Sequence, residues 1–243
     1  MYKRQFNKFN YTDVRALQVD FSDILVMEFH GLDLKLETEL VRKRDQLHHV
    51  PTKLYQNDGQ LEGVFQNALA ENRLISVVPK GPEDQFFVGR VKAVNEHVVV
   101  LSLKDMAGQF GGYILMTLPS IQNVATASDY LQTIGFYEQW DQTHHFSQQP
   151  VLNADREFDP NDNLVKAIIS EAAGFERVVR IKVADSDEHF LGYPEHVDET
   201  DFDLNLVGPD SGETVRIRYG QIREIAFGHI FASVSYTHLR AHE

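Results

Sequence analysis

The sequence predicts an α+β fold, mainly β with helices, in which small five-stranded barrels, each preceded by a helix, follow one another in tandem. Three observations carry this. The chain matches itself at a spacing of 103 residues, short runs alternate apolar with polar residues between Gly-, Pro- and Asp-containing turns, and a helically spaced segment stands ahead of each set of runs. Strict alternation marks half-buried strands, apolar residues three and four apart mark a helix face, and self-similarity at a fixed period marks an array.

Shifting by 103 residues lays Leu61 on Leu164, Phe65 on Ile168, Phe87 on Phe190, Gly89 on Gly192, Val94 on Val197, Leu101 on Leu204 and Leu103 on Leu206. A loop two residues shorter then brings Ile121 onto Ile222 and Val124 onto Ile225. The beginning belongs to the same series, because "NYTDVRAL" from Asn10 matches "RYGQIREI" from Arg218 position for position. The predicted order is therefore the C-terminal strands of a truncated copy (6–30), a helical linker (31–60), a barrel copy (61–131), a second linker (132–163) and a last barrel copy (164–232).

Each element has its own reason. "LEGVFQNALAEN" places Leu61, Val64, Phe65, Ala68 and Leu69 on one helical face, and "DPNDNLVKAIISEAA" repeats it with Asp162 or Asn163 as the cap. "DFDLNL" turns Phe202, Leu204 and Leu206 inward, "TVRIRY" does the same with Val215, Ile217 and Tyr219, and "GPDSGE" between them supplies turn chemistry for a hairpin. "GQFGG" from Gly108 makes the turn in the middle copy. Gly89 and Gly192 stand mid-strand as structural glycines, where a missing side chain permits a sharp bend. A helix and about five short strands in so few residues suit a small closed barrel better than a sandwich.

The helix, the bent strand with Gly89, "VVVLSLKD" and "LPSIQNV" leading into a last strand resemble the Sm-like and SH3-like small barrels in their order of elements. The resemblance covers about 61–131 and 164–231. It implies the barrel fold, while the RNA-holding residues of the Sm family find no match: Pro119-Ser120 and Gly220-Gln221 replace its Arg-Gly, and valine, Val99 or Val100, replaces its Asn. Kinship of fold does not by itself carry function.

Both ends read differently. "MYKRQ" (1–5) and "VSYTHLRAHE" (Val234 to Glu243) resemble the two translations of one inverted DNA sequence, the end repeat of a transposase used for sequencing libraries. Residues 1–5 and 233–243 are accordingly expected to be adapter-derived rather than native. Formal net charge is -13, and setting aside three positives (Lys3, Arg4, Arg240) and one negative (Glu243) leaves -15. Such a charge opposes a phosphate backbone. The absence of cysteine excludes disulfides, thiolate nucleophiles and Cys-based zinc sites within the sequence. The longest apolar runs fall far short of the roughly 20 residues of a membrane helix, so a cytoplasmic protein without membrane contact is expected.

Five basic positions of the last copy, Arg180, Lys182, Arg216, Arg218 and Arg223, form a candidate anion or nucleic-acid strip. Cross-strand pairing with Asp201 and Asp203 is the favoured alternative, since no exposed aromatics interleave as stacking platforms. His48-His49 and His144-His145 recur in the linkers, yet adjacent side chains on an extended segment diverge, so no metal is expected. "DPNDN" from Asp159 lacks the glycine and distal Glu of a calcium loop. No nucleophile elbow or phosphate loop occurs, and neither catalysis nor a cofactor is expected. In "HVVVLSL", Val99, Leu101 and Leu103 point inward, leaving Val98 and Val100 as a candidate contact with a neighbouring barrel or a linker helix. These features together predict a non-catalytic scaffold that binds protein partners or its own copies, with nucleic-acid binding as the alternative that the net charge disfavours.

Overall fold

The computed structural model describes residues 2–6, 14–18, 20–25, 31–81, 85–144, 156–184, 186, 189–208 and 211–228. The expected adapter residues 233–243, His145 and the turn positions 209 and 210 lie outside them. Strands β1 (Tyr2–Phe6) and β2 (Val14–Gln18) form a separate two-stranded antiparallel sheet. Helix α1 (Leu32–Arg42), a short strand β3 (Lys53–Gln56) and helix α2 (Leu61–Ala70) follow. The middle copy then runs through β4 (Leu74–Pro79), β5 (Phe87–Val94), β6 (Val98–Lys104), β7 (Phe110–Thr117) and β8 (Ile121–Ala127) into helix α3 (Asp129–His144). The last copy opens with helix α4 (Leu164–Gly174) and continues through β9 (Val179–Val183), β10 (His189–Glu195), β11 (Asp201–Leu206), β12 (Thr214–Arg218) and β13 (Ile222–Phe227).

The repeat read from the sequence is reproduced strand by strand. Within each copy the last strand pairs with the first, and the first four pair in series, giving β8-β4-β5-β6-β7 and β13-β9-β10-β11-β12. A one-turn 3-10 helix, Leu118–Ser120 or Tyr219–Gln221, joins fourth strand to fifth. Both leading helices also end alike. Asn72 and Glu176 take positive φ, and Arg73 and Arg177 donate their amides back to the carbonyls of Ala68 and Ala172 at 2.8 Å, so the last turn closes in the left-handed manner usual at a helix end.

The closed barrel is not what forms. Eleven strands make one open antiparallel sheet in the order β12-β11-β10-β9-β13-β7-β6-β5-β4-β8-β3. Closure would need the fourth strand of a copy to pair with its own fifth. Instead the edge of β7 is taken by β13 of the last copy, and β3 takes the edge of β8. Among the described residues β12 pairs with β11 alone.

The linkers also carry more structure than expected. The segment 31–60 is helical only in α1 and one 3-10 turn and then supplies β3, while α3 begins inside the middle copy and runs well into 132–163. These helices have a packing purpose. Leu36 and Leu40 of α1 and Leu131, Ile134 and Tyr137 of α3 bury Leu74 and Val88, which face away from the core of the middle copy. No helix among the described residues is long and apolar enough to cross a membrane.

Gly89 and Gly192 are required by close approach. A Cβ at either would run into a backbone carbonyl of the next strand, Ser102 or Asn205 respectively.

Candidate functional site

The densest chemistry lies where the copies meet. Strand β13 pairs with β7 in the register Glu224 to Met116, Ile225 to Leu115, Ala226 to Ile114 and Phe227 to Tyr113. Side chains alternate across this seam, so the two copies share their cores. Ala226 packs with Ile114, Met116, Val99 and Leu101 in the middle core. On the opposite face Val98, Val100, Tyr113 and Leu115 of the middle copy pack with Ile168, Ile169, Phe202, Leu204 and Ile225 of the last. Val98 is 4 % exposed and Val100 fully buried. Each such aliphatic side chain contributes about 1.5–3 kcal/mol when buried, which makes this face a docking surface rather than a chance contact.

Aromatic rings seal the seam. Tyr113 stacks on Phe227 with centroids 5.5 Å apart and meets Phe110 and Phe158 edge-on at 5.2 and 5.6 Å. The Arg156 amide donates to the Tyr113 hydroxyl at 3.3 Å, and its guanidinium lies over both Tyr113 and Phe227 while pairing with Glu171 at 3.2 Å. Thus the segment ahead of α4 is clamped onto the junction.

Beside it opens a groove of about 710 Å³ lined by Glu62, Asn95, Glu96, His97, Asp162 and Asn163 among others. The Asn95 side-chain amide ties the middle copy to the second linker by donating to the Pro160 carbonyl at 3.2 Å. Asn163 caps α4 by accepting from the Lys166 amide, as the sequence suggested. Glu62, Glu96 and Asp162 bring carboxylates to this lining and no Lys or Arg stands among its residues, which disfavours phosphate.

The predicted basic strip is divided between two places. Arg180 and Lys182 lie on β9, where Arg180 donates to the buried Glu224 at 3.2 Å and His189 lies near the same carboxylate. Arg216 and Arg218 lie on β12, separated from β9 by two strands. Arg216 binds Asp198, Asp201 and Asp203, the last also paired with His196 at 3.2 Å. Its hydrogen bond holds the Asp203 carboxyl below the ordinary range, with the nearby charges adding to the effect. Arg223 is half-buried, and its carbonyl accepts from Ser120. Arg218 is exposed.

One buried charge cluster was not legible in the sequence. Glu138 of α3, 6 % exposed, accepts from Arg90 at 2.5 Å and pairs with Lys104 at 2.8 Å. Burial alone raises this carboxyl, but the two cations outweigh it and hold the group below the ordinary carboxylate range. The signal that could have located it is a glutamate inside "FYEQW", among apolar and aromatic residues. The recurring histidines do not converge: His49 pairs with Asp129 at 2.8 Å, and His144 stacks on Trp140. Among the described residues no group of three His, Asp or Glu is placed to hold a metal ion.

No family model matches the chain, and neither a curated protein nor a solved structure matches it.

Proposed function

We propose that the chain is a non-catalytic scaffold of tandem Sm-like repeats that engages protein partners, or further copies of itself, through strand edges and the apolar faces beside them. The observation that supports this reading most is the junction itself, where one copy binds the next by β7–β13 pairing and by burial of Val98, Val100, Tyr113 and Leu115. Edge pairing gives main-chain affinity, and the alternating side chains give specificity. The nucleic-acid alternative draws less support, because Arg180 and Arg216 are already engaged by carboxylates and the net charge is -13.

Titration of single-stranded RNA at low and moderate salt tests the choice. The scaffold reading expects no saturable binding. Binding that weakens steeply with salt and disappears in Arg216→Ala/Arg218→Ala overturns it in favour of a nucleic-acid role.

A further inference from the structure

Strand β3 stands on the middle copy where β7 stands on the last copy. Leu54, Tyr55 and Gln56 face Ala125, Val124 and Asn123 of β8. Ile114, Leu115 and Met116 face Ala226, Ile225 and Glu224 of β13, the repeat equivalents of those three. The next residue keeps the correspondence, since the Asn57 amide donates to the Gln122 carbonyl at 3.0 Å, where Thr117 meets the carbonyl of Arg223.

The two occupants fill the place very differently. Strand β7 spans eight residues, and Ile114, Leu115 and Met116 are fully buried. Strand β3 spans four; Leu54 is 49 % exposed, Gln56 is exposed and only Tyr55 reaches the core. Leu69 of α2 is 39 % exposed, whereas its equivalent Ala172 is buried. An edge built like that of β13 is thus covered by a short, polar strand, after which the Asn57 side chain donates to the Leu118 and Ile121 carbonyls at 2.8 and 2.7 Å.

We infer that the β8 edge is an interaction surface for the fourth strand of a further copy of this repeat, one presenting contiguous large aliphatic residues as β7 does, and that β3 is a displaceable plug on that edge. The inference rests on the scaffold reading and names its partner. Strand β12 of this chain does not qualify. It would bring Arg216 to the position that Leu115 fills at β13 and Tyr55 fills here, toward an apolar core.

The test uses the full chain and a fluorescent peptide of the β7 sequence Tyr113–Thr117 flanked by lysines, followed by anisotropy. The sequence contains no cysteine, so Gln56→Cys/Asn123→Cys, which face each other across the pair, give a disulfide that locks β3 down and a reductant that frees it. Binding is expected in the reduced form and absent in the oxidised form. Tyr55→Lys, which loosens the plug, is expected to tighten binding about tenfold, because apparent affinity scales with the fraction of open edge. A peptide of the β12 sequence Thr214–Arg218 is expected not to bind. Equal binding by oxidised and reduced protein overturns the plug while leaving the scaffold reading in place. Failure of every form to bind the β7 peptide overturns both.

Discussion

Val100 of β6 and Asp203 of β11 stand at the same position of the two copies, facing Leu115 and Arg216 respectively across equivalent hairpins. The first pair is buried in the core shared with the last copy, whereas the second lies at the surface in an ion-pair cluster. One position of the repeat thus serves as a docking face in one copy and as a solvated face in the other. Capping of this kind keeps a repeat array soluble.

Exchanging the chemistry at this position has unequal effects. Val100→Asp places an uncompensated carboxylate in the junction and lowers stability by about 4 kcal/mol. Asp203→Ala leaves the unfolding midpoint nearly unchanged. Urea denaturation of both variants checks this, and equal losses contradict it.

Giving the last copy the face of the middle one turns a solvated surface into a sticky one. Asp201→Val/Asp203→Val/Arg216→Leu, which copies Val98, Val100 and Leu115, creates an apolar patch that fits the β8 end of the middle core of another molecule, the end β3 covers here. Such a heterologous contact does not close on itself. Sedimentation of the triple variant is expected to show species that grow with concentration and are absent from the parent. Identical sedimentation of the two proteins would count against the equivalence of the faces.

The Glu138 cluster makes stability fall in acid. Its folded carboxyl titrates below its unfolded value, so its contribution is complete above that unfolded value and is lost as pH falls through the lower folded one. Glu138→Gln leaves Arg90 and Lys104 without their carboxylate and costs about 3 kcal/mol at neutral pH. The gap between parent and variant is expected to shrink on moving from neutral pH to about pH 3. A gap independent of pH would mean that the carboxylate is not the source.

Glycines separate by what surrounds them. Gly89→Ala and Gly192→Ala each force a Cβ into a neighbouring carbonyl and cost about 2 kcal/mol. Gly63, inside α2 with open space around it, behaves oppositely: Gly63→Ala adds about 0.5–1 kcal/mol. Thermal melts of the three variants check the signs.

The repeat, the two leading helices, the β11–β12 hairpin and the burial of Phe202 and Leu204 were legible because each leaves a local period in the sequence. Closure was not, because whether β7 pairs with β8 or β13 depends on a partner about 100 residues away, and both offer similar edges. Strand β3 escaped for a related reason. "KLYQ" is too short to show a period, and it becomes a strand only because β8 offers an edge. The basic strip dissolved because alternation fixes which face a residue takes but not which strands become neighbours. Arg180 and Arg216 therefore found separate carboxylates on separate strands.

The two copies fold as one unit through β7 and β13, and native-state amide exchange reads that cooperativity at each strand. The amides of Tyr113–Met116 and Glu224–Phe227 are predicted to exchange only through global unfolding, with one opening free energy common to both strands. Exchange of β13 through a smaller opening, with β7 still protected, would contradict it and return the copies to the status of independent domains.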